Sequence, residues 1–145
     1  MMKNKLFCIL LMMIFSTAVY AKNPQNQAIT EKLLGKHLFS LQWISQDKFG
    51  SANITQNNQQ LEIHAKQELN GNYATMDGII VPIDERTFLF RGDIITRVDH
   101  IANGSECKRS GDYLFEATEN RKYWRMLAHY NPCDGVVDYV DIYFK

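Results

Sequence analysis

From residue 37 to the end of the chain, apolar and polar side chains alternate with a period of two, broken at short intervals by polar turns. In HLFSLQWIS (37–45), His37, Phe39, Leu41 and Trp43 form the heavier apolar face, opposite Leu38, Ser40, Gln42 and Ile44. FGSANIT (49–55) reads as the next strand, and QNNQ (56–59) turns the chain. LEIHAKQ (61–67) then sets Leu61, Ile63 and Ala65 against Glu62, His64 and Lys66, and LNGN (69–72) is a second turn signal. YATMDGIIVPI (73–83) is extended. Strand character resumes directly after Asp77-Gly78, so that pair marks a bend rather than a hairpin. DER (84–86) turns into TFLFRGDIITRV (87–98), where Gly92 is a second bend, and the polar stretch 99–110 reads as a loop. DYLFEAT (112–118), KYWRML (122–127), the loop AHYNPCDG (128–135) and DYVDIYF (138–144) complete the series. The pattern predicts an all-β fold, an antiparallel meander of about eight strands. Closing the meander into a small barrel hides its edges.

The start of the chain follows different rules. Lys3 and Lys5 precede an apolar run from Leu6 to about Phe15, and small residues lead to Val19-Tyr20-Ala21. That is the layout of a secretory signal peptide over 1–21, and its apolar run falls short of the roughly 20 residues that span a bilayer. The expected product is periplasmic or secreted and is not an integral membrane protein. A polar leader (22–29) is expected to be flexible, followed by a helical turn over 31–34, capped by Thr30 and ended by Gly35. Residues 30–145 then form a single β-barrel domain.

Charge and cysteine content narrow the partners and the compartment. Lys plus Arg and Asp plus Glu number 16 each, so removal of Lys3 and Lys5 leaves a slightly acidic domain. Nucleic acid is not the expected partner of such a domain. Cys8 leaves with the signal, and the remaining pair, Cys107 and Cys133, predicts one disulfide in an oxidising compartment. It closes a loop of about 27 residues, worth roughly 3.5 kcal/mol on the chain-entropy argument.

A short helical turn, Gly35 and a Trp-bearing first strand resemble the opening of lipocalin-like, or calycin, barrels. That resemblance implies a small apolar ligand in the barrel mouth. Trp43 stands eight residues after Gly35, however, where that family has Gly-x-Trp. The stretches LQWIS, KFG, RKYWR and YVDIYF also resemble small exported bacterial β-proteins without assigned function.

Catalytic and metal chemistry find little support. His37, His64, His100 and His129 share no ligand spacing. His100 and His129 do fall in the loops joined by the disulfide, with Asp99, Glu106 and Asp134. Asp138 and Asp141, three apart on a strand, point to opposite faces and form no acid–base pair. No catalytic residues, metal or cofactor are assigned.

The aromatics carry more. A ligand held in the barrel is expected to meet Trp43, Phe88, Phe90, Tyr113 and Trp124, with 99–110 and 128–137 as rim. The strand RKYWRM sends Trp124 and Met126 inward and leaves Arg121, Tyr123 and Arg125 outside. There Arg125 is suited to pair across strands with Asp141. With Tyr139 and Tyr143 of the last strand, these make an Arg/Tyr surface of the kind that meets proteins. The leading expectation is an exported, non-enzymatic binding protein for a small apolar or amphiphilic ligand. The alternative is a periplasmic interaction module with a solid barrel, such as an inhibitor or immunity protein, whose partner is an envelope protein.

Overall fold

The computed structural model describes residues 23–145, and the signal peptide expected over 1–21 lies outside the described residues. The first element is a helix, α1 (Pro24–Leu33). It occupies most of the segment expected to be a flexible leader and replaces the shorter turn placed at 31–34. The reason lies in Asn23-Pro24. The Asn23 side chain accepts a hydrogen bond from the Gln25 N–H at 3.1 Å, and proline's fixed φ suits the first helical position. Ile29 and Leu33, four apart on one face of α1, are both buried.

Eight strands follow: β1 (Gly35–Leu41), β2 (Gly50–Asn57), β3 (Gln60–Leu69), β4 (Asn72–Asp84), β5 (Thr87–Arg97), β6 (Cys107–Glu116), β7 (Tyr123–Met126) and β8 (Val140–Tyr143). Each pairs antiparallel with its chain neighbours, and β8 returns to β1 through Phe39 opposite Ile142 and Leu41 opposite Val140. The sheet is a closed barrel, as the alternation predicts.

The polar dipeptides set the register. Asn58-Gln59 and Asn70-Gly71, all at positive φ, form two-residue connections between β2 and β3 and between β3 and β4. Positive φ at both central residues suits the twist of the flanking strands.

Two elements depart from the pattern. β1 ends at Leu41, so Trp43 lies in the turn after it rather than on its inner face. β6 begins at Cys107, five residues before the expected strand, because the polar run 108–110 read as loop. In fact Cys107 and Arg109 are buried and Lys108 and Ser110 are exposed, an alternation whose inner member is an arginine.

Inside, the strands bury Phe39, Ile63, Met76, Phe88, Phe90 and Trp124, each 1% exposed or less. Gly78 and Gly92 face one another across β4 and β5. A Cβ on Gly78 would stand 2.2 Å from the Arg91 carbonyl oxygen and 2.8 Å from the Phe90 ring. One on Gly92 would meet the Asp77 carbonyl oxygen at 2.2 Å. The ladder keeps its register through this pair, with no bulge at Asp77-Gly78 or Gly92 where the sequence pattern placed bends, and the Phe90 ring lies over the bare backbone.

α1 closes one end of the barrel. His37, buried on β1, places Nε2 2.6 Å from the Leu33 carbonyl and Nδ1 2.8 Å from the Tyr143 carbonyl. The ring thereby ties the last turn of α1 to β8.

Candidate functional site

Of the side chains expected to line a ligand chamber, Phe88, Phe90 and Trp124 are fully buried and fill the barrel against one another. Phe88 stacks on Phe115 with centroids 5.0 Å apart, and Trp124 meets Phe88 at 5.7 Å and Phe144 at 4.4 Å. Tyr113 is half-buried and packs on this core. Trp43 is elsewhere, in the turn after β1, and its Nε1–H donates to the Val137 carbonyl and to Asp138 Oδ1, at 3.1 and 3.0 Å. The five residues therefore do not converge on a common space.

The five outer-face residues do converge. Arg125 and Asp141 stand opposite one another on β7 and β8. The guanidinium donates two hydrogen bonds, from Nε and Nη2, to the two carboxylate oxygens, both at 2.8 Å. These bonds hold the guanidinium above its ordinary pKa. The same guanidinium lies 3.9 Å from the centre of the Tyr139 ring and 5.1 Å from that of Tyr123. Tyr123 approaches Tyr143 at 5.3 Å, Tyr143 stacks on Phe49 at 4.9 Å, and Arg121 sits 5.6 Å from Tyr123. Short strands put these residues together: β7 contributes alternate positions 123 and 125, and β8 contributes 141 and 143. The patch is knit together by these contacts and borders solvent through Phe49 and Tyr139, each more than a third exposed.

The opposite end of the barrel from α1 is closed by the segment between β7 and β8, which arches over the opening. Cys133 on this arch is joined to Cys107, the first residue of β6, as the cysteine count predicts. Under the arch lies a buried ion pair that the sequence pattern did not reveal. Arg109 Nη2 donates to Asp138 Oδ2 at 3.1 Å, and the two side chains are 4% and 1% exposed. Asn131 donates to the same oxygen at 3.0 Å, and its own oxygen accepts from the Cys133 N–H. Burial pushes the Asp138 carboxyl above the usual carboxylate range and pulls Arg109 below its own, with their mutual attraction opposing both. The available signal was the alternation of Cys107 and Arg109, hidden by the polar residues between and after them.

The loop residues considered for acid–base or metal chemistry are dispersed. Asp99 pairs with Arg97, Glu106 accepts from the Tyr73 hydroxyl, and Asp134 accepts from the Ala102 N–H. His100 packs edge-on against Trp43, and His129 lies beside Tyr130. Among the described residues no group of three His, Cys, Asp or Glu is placed to hold a metal ion. A groove of about 460 Å³ does lie between α1 and the barrel. Its apolar floor includes Ile29, Leu61, Ile80 and Pro82, and its rim includes Asn26 and Gln56.

The profile of the PM1083 family matches residues 21–144. A relative from Pasteurella multocida (strain Pm70), described as the uncharacterized protein PM1083, is 51% identical over 120 residues, covering 83% of this chain and 78% of its own. No solved structure matches the chain. The likeness to β-proteins without assigned function thus has a named counterpart, whereas the lipocalin likeness extends no further than the barrel itself.

Proposed function

The chain belongs to the PM1083 family, and we propose that it acts as an exported, non-catalytic protein-interaction module with a solid barrel. The observation that carries this reading is the convergence of Arg121, Tyr123, Arg125, Tyr139 and Tyr143 on one outer patch. Arginine and tyrosine dominate binding hot spots because they offer large contact area with polar ends. Here the guanidinium is already fixed by Asp141 and stacked on Tyr139, so little ordering entropy remains to be lost on docking. The partner is a protein of the cell envelope. No catalytic residue or cofactor enters this role.

A photo-crosslinking phenylalanine analogue in place of Tyr139, in cells, tests the reading. A defined protein adduct is expected there and not from the same analogue in place of His64, which is exposed on β3 across the barrel. Tyr123→Ser, which leaves the Arg125–Asp141 pair in place, should weaken the adduct several-fold. Equal labelling at both positions, or indifference to Tyr123→Ser, overturns it.

The groove beside α1 supports a second reading, a small amphiphilic ligand held outside the barrel. Its volume falls within the range of small-molecule sites, and its apolar floor with an amide rim suits such a molecule. Stoichiometric recovery of a lipid from the purified mature protein, abolished by Ile80→Asn, would move the function there.

A further inference from the structure

A closed barrel ordinarily leaves no free strand edge, yet β6 is incompletely covered. β5 pairs with it over its whole length in unbroken register, from Thr96 opposite Cys107 to Thr87 opposite Glu116. β7 pairs with it only at Phe115 and Glu116, followed by one bond from the Leu127 N–H to the Leu114 carbonyl at 2.9 Å. Beyond Leu127 the chain turns away, the His129 N–H bonding back to the Leu127 carbonyl, and it returns to β6 through side chains, at the Cys107–Cys133 disulfide and at the inward Arg109–Asp138 ion pair.

In an antiparallel ladder, every second residue directs its backbone N–H and C=O to the same side. Since Leu114 bonds toward β7, Asp112, Ser110 and Lys108 direct theirs that way as well. Among the described residues these groups have no backbone partner, and all three residues are exposed. Gly111 between them bonds toward β5 and carries no side chain, and a Cβ there would meet nothing within 4 Å, so nothing crowds the strand at this point.

We infer that this edge, residues 108–112, pairs antiparallel with the same edge of a second copy of the chain to form a two-fold dimer. A pairing centred on Ser110 sets Lys108 opposite the partner's Asp112, twice. Opposite charges facing one another across strands stabilise a pair, and a two-fold interface must be complementary to itself. Each charge arrives already ordered, since Lys108 lies 3.3 Å from Asp93 and Asp112 binds Arg91 at 2.7 and 2.9 Å. Across the seam the row reads Arg91, Asp112, then the partner's Lys108 and Asp93, with alternating sign throughout. The inference is independent of the Arg125 face, and Tyr123→Ser is expected to leave the dimer unchanged.

Sedimentation of the mature protein from micromolar to millimolar concentration tests it, with amide exchange on the same samples. A monomer–dimer equilibrium is expected, with the amides of Ser110 and Asp112 exchanging about tenfold more slowly at the dimer end. Lys108→Glu and Asp112→Lys should each be monomeric alone, since each self-pairing brings like charges together. Their equimolar mixture should form a heterodimer, because both contacts are then complementary. Ser110→Pro removes a donor that faces the edge and not β5, so it should block the dimer while near-ultraviolet circular dichroism stays that of the wild type. A wild type monomeric throughout, a mixture no more dimeric than its components, or dimerisation unaltered by Ser110→Pro overturns the inference.

Discussion

Asp138 and Asp141 are three residues apart and meet arginines on opposite sides of one sheet. Asp141 faces out and holds Arg125 in a two-bond clasp, while Asp138 faces in and holds Arg109 under the arch. Asp141 lies on β8 and Asp138 in the arch just before that strand begins at Val140, and each is engaged by its own arginine, so neither carboxylate serves the other. Their energetic roles differ as well. Asp141 anchors a guanidinium that is still partly solvated, whereas Asp138 and Arg109 are both withdrawn from water. Removing one member of a buried pair strands the other, so Asp138→Ala should cost about 3–5 kcal/mol in chemical denaturation. Replacing both at once, with Arg109→Met and Asp138→Leu, should recover most of that loss. A double variant as unstable as the single one would show that the stranded arginine is not the cause.

At the scale of the element, β6 and the arch are the parts whose behaviour depends on a covalent link. The disulfide fixes the arch to the start of β6 at the point where strand pairing is missing. Cys107→Ser with Cys133→Ser should lower the unfolding free energy by roughly 3.5 kcal/mol, read as a lower denaturant midpoint. An unchanged midpoint would mean that the arch is held by Asn131 and Asp138 alone. The same two regions mark where sequence reading falls short. β2 to β5 were legible because one face of each is plainly apolar and the turns from β2 to β3 and from β3 to β4 carry Asn, Gln and Gly at positive φ. β6 was cut short because an inward arginine breaks the alternation that announces a strand. α1 was shortened because its polar residues mask a start signal written in only two of them, Asn23 and Pro24. The outer Arg/Tyr patch was legible for the opposite reason: period two assigns its faces without any knowledge of which strands are neighbours. The expected inner lining failed at Trp43 because the end of β1 is set by the turn after it.

Over the whole molecule, ion pairs on the outer wall make stability depend on pH. Ser110 and then Lys108 lower the Asp93 pKa, and Arg91 lowers that of Asp112. A carboxyl with a lowered folded pKa stabilises the fold above its unfolded value, and that contribution is lost as pH falls through the folded value. Asp138 acts in the opposite sense: its penalty is felt when it ionises in the fold and disappears as pH falls into the carboxylate range. The wild type should therefore lose melting temperature on acidification below about pH 4 more steeply than Asp93→Asn with Asp112→Asn. Equal slopes would assign the acid sensitivity to other groups. The facing glycines of β4 and β5 have a consequence of another kind, for kinship. Most outer positions of this barrel tolerate drift, since side chains there meet only solvent and their cross-strand neighbours. At 78 and 92 any larger residue collides with the opposite main chain. Remote relatives that have lost every other likeness should still spell glycine on both strands, about an aromatic two places before the second, and that spaced triplet is the trait by which to find them.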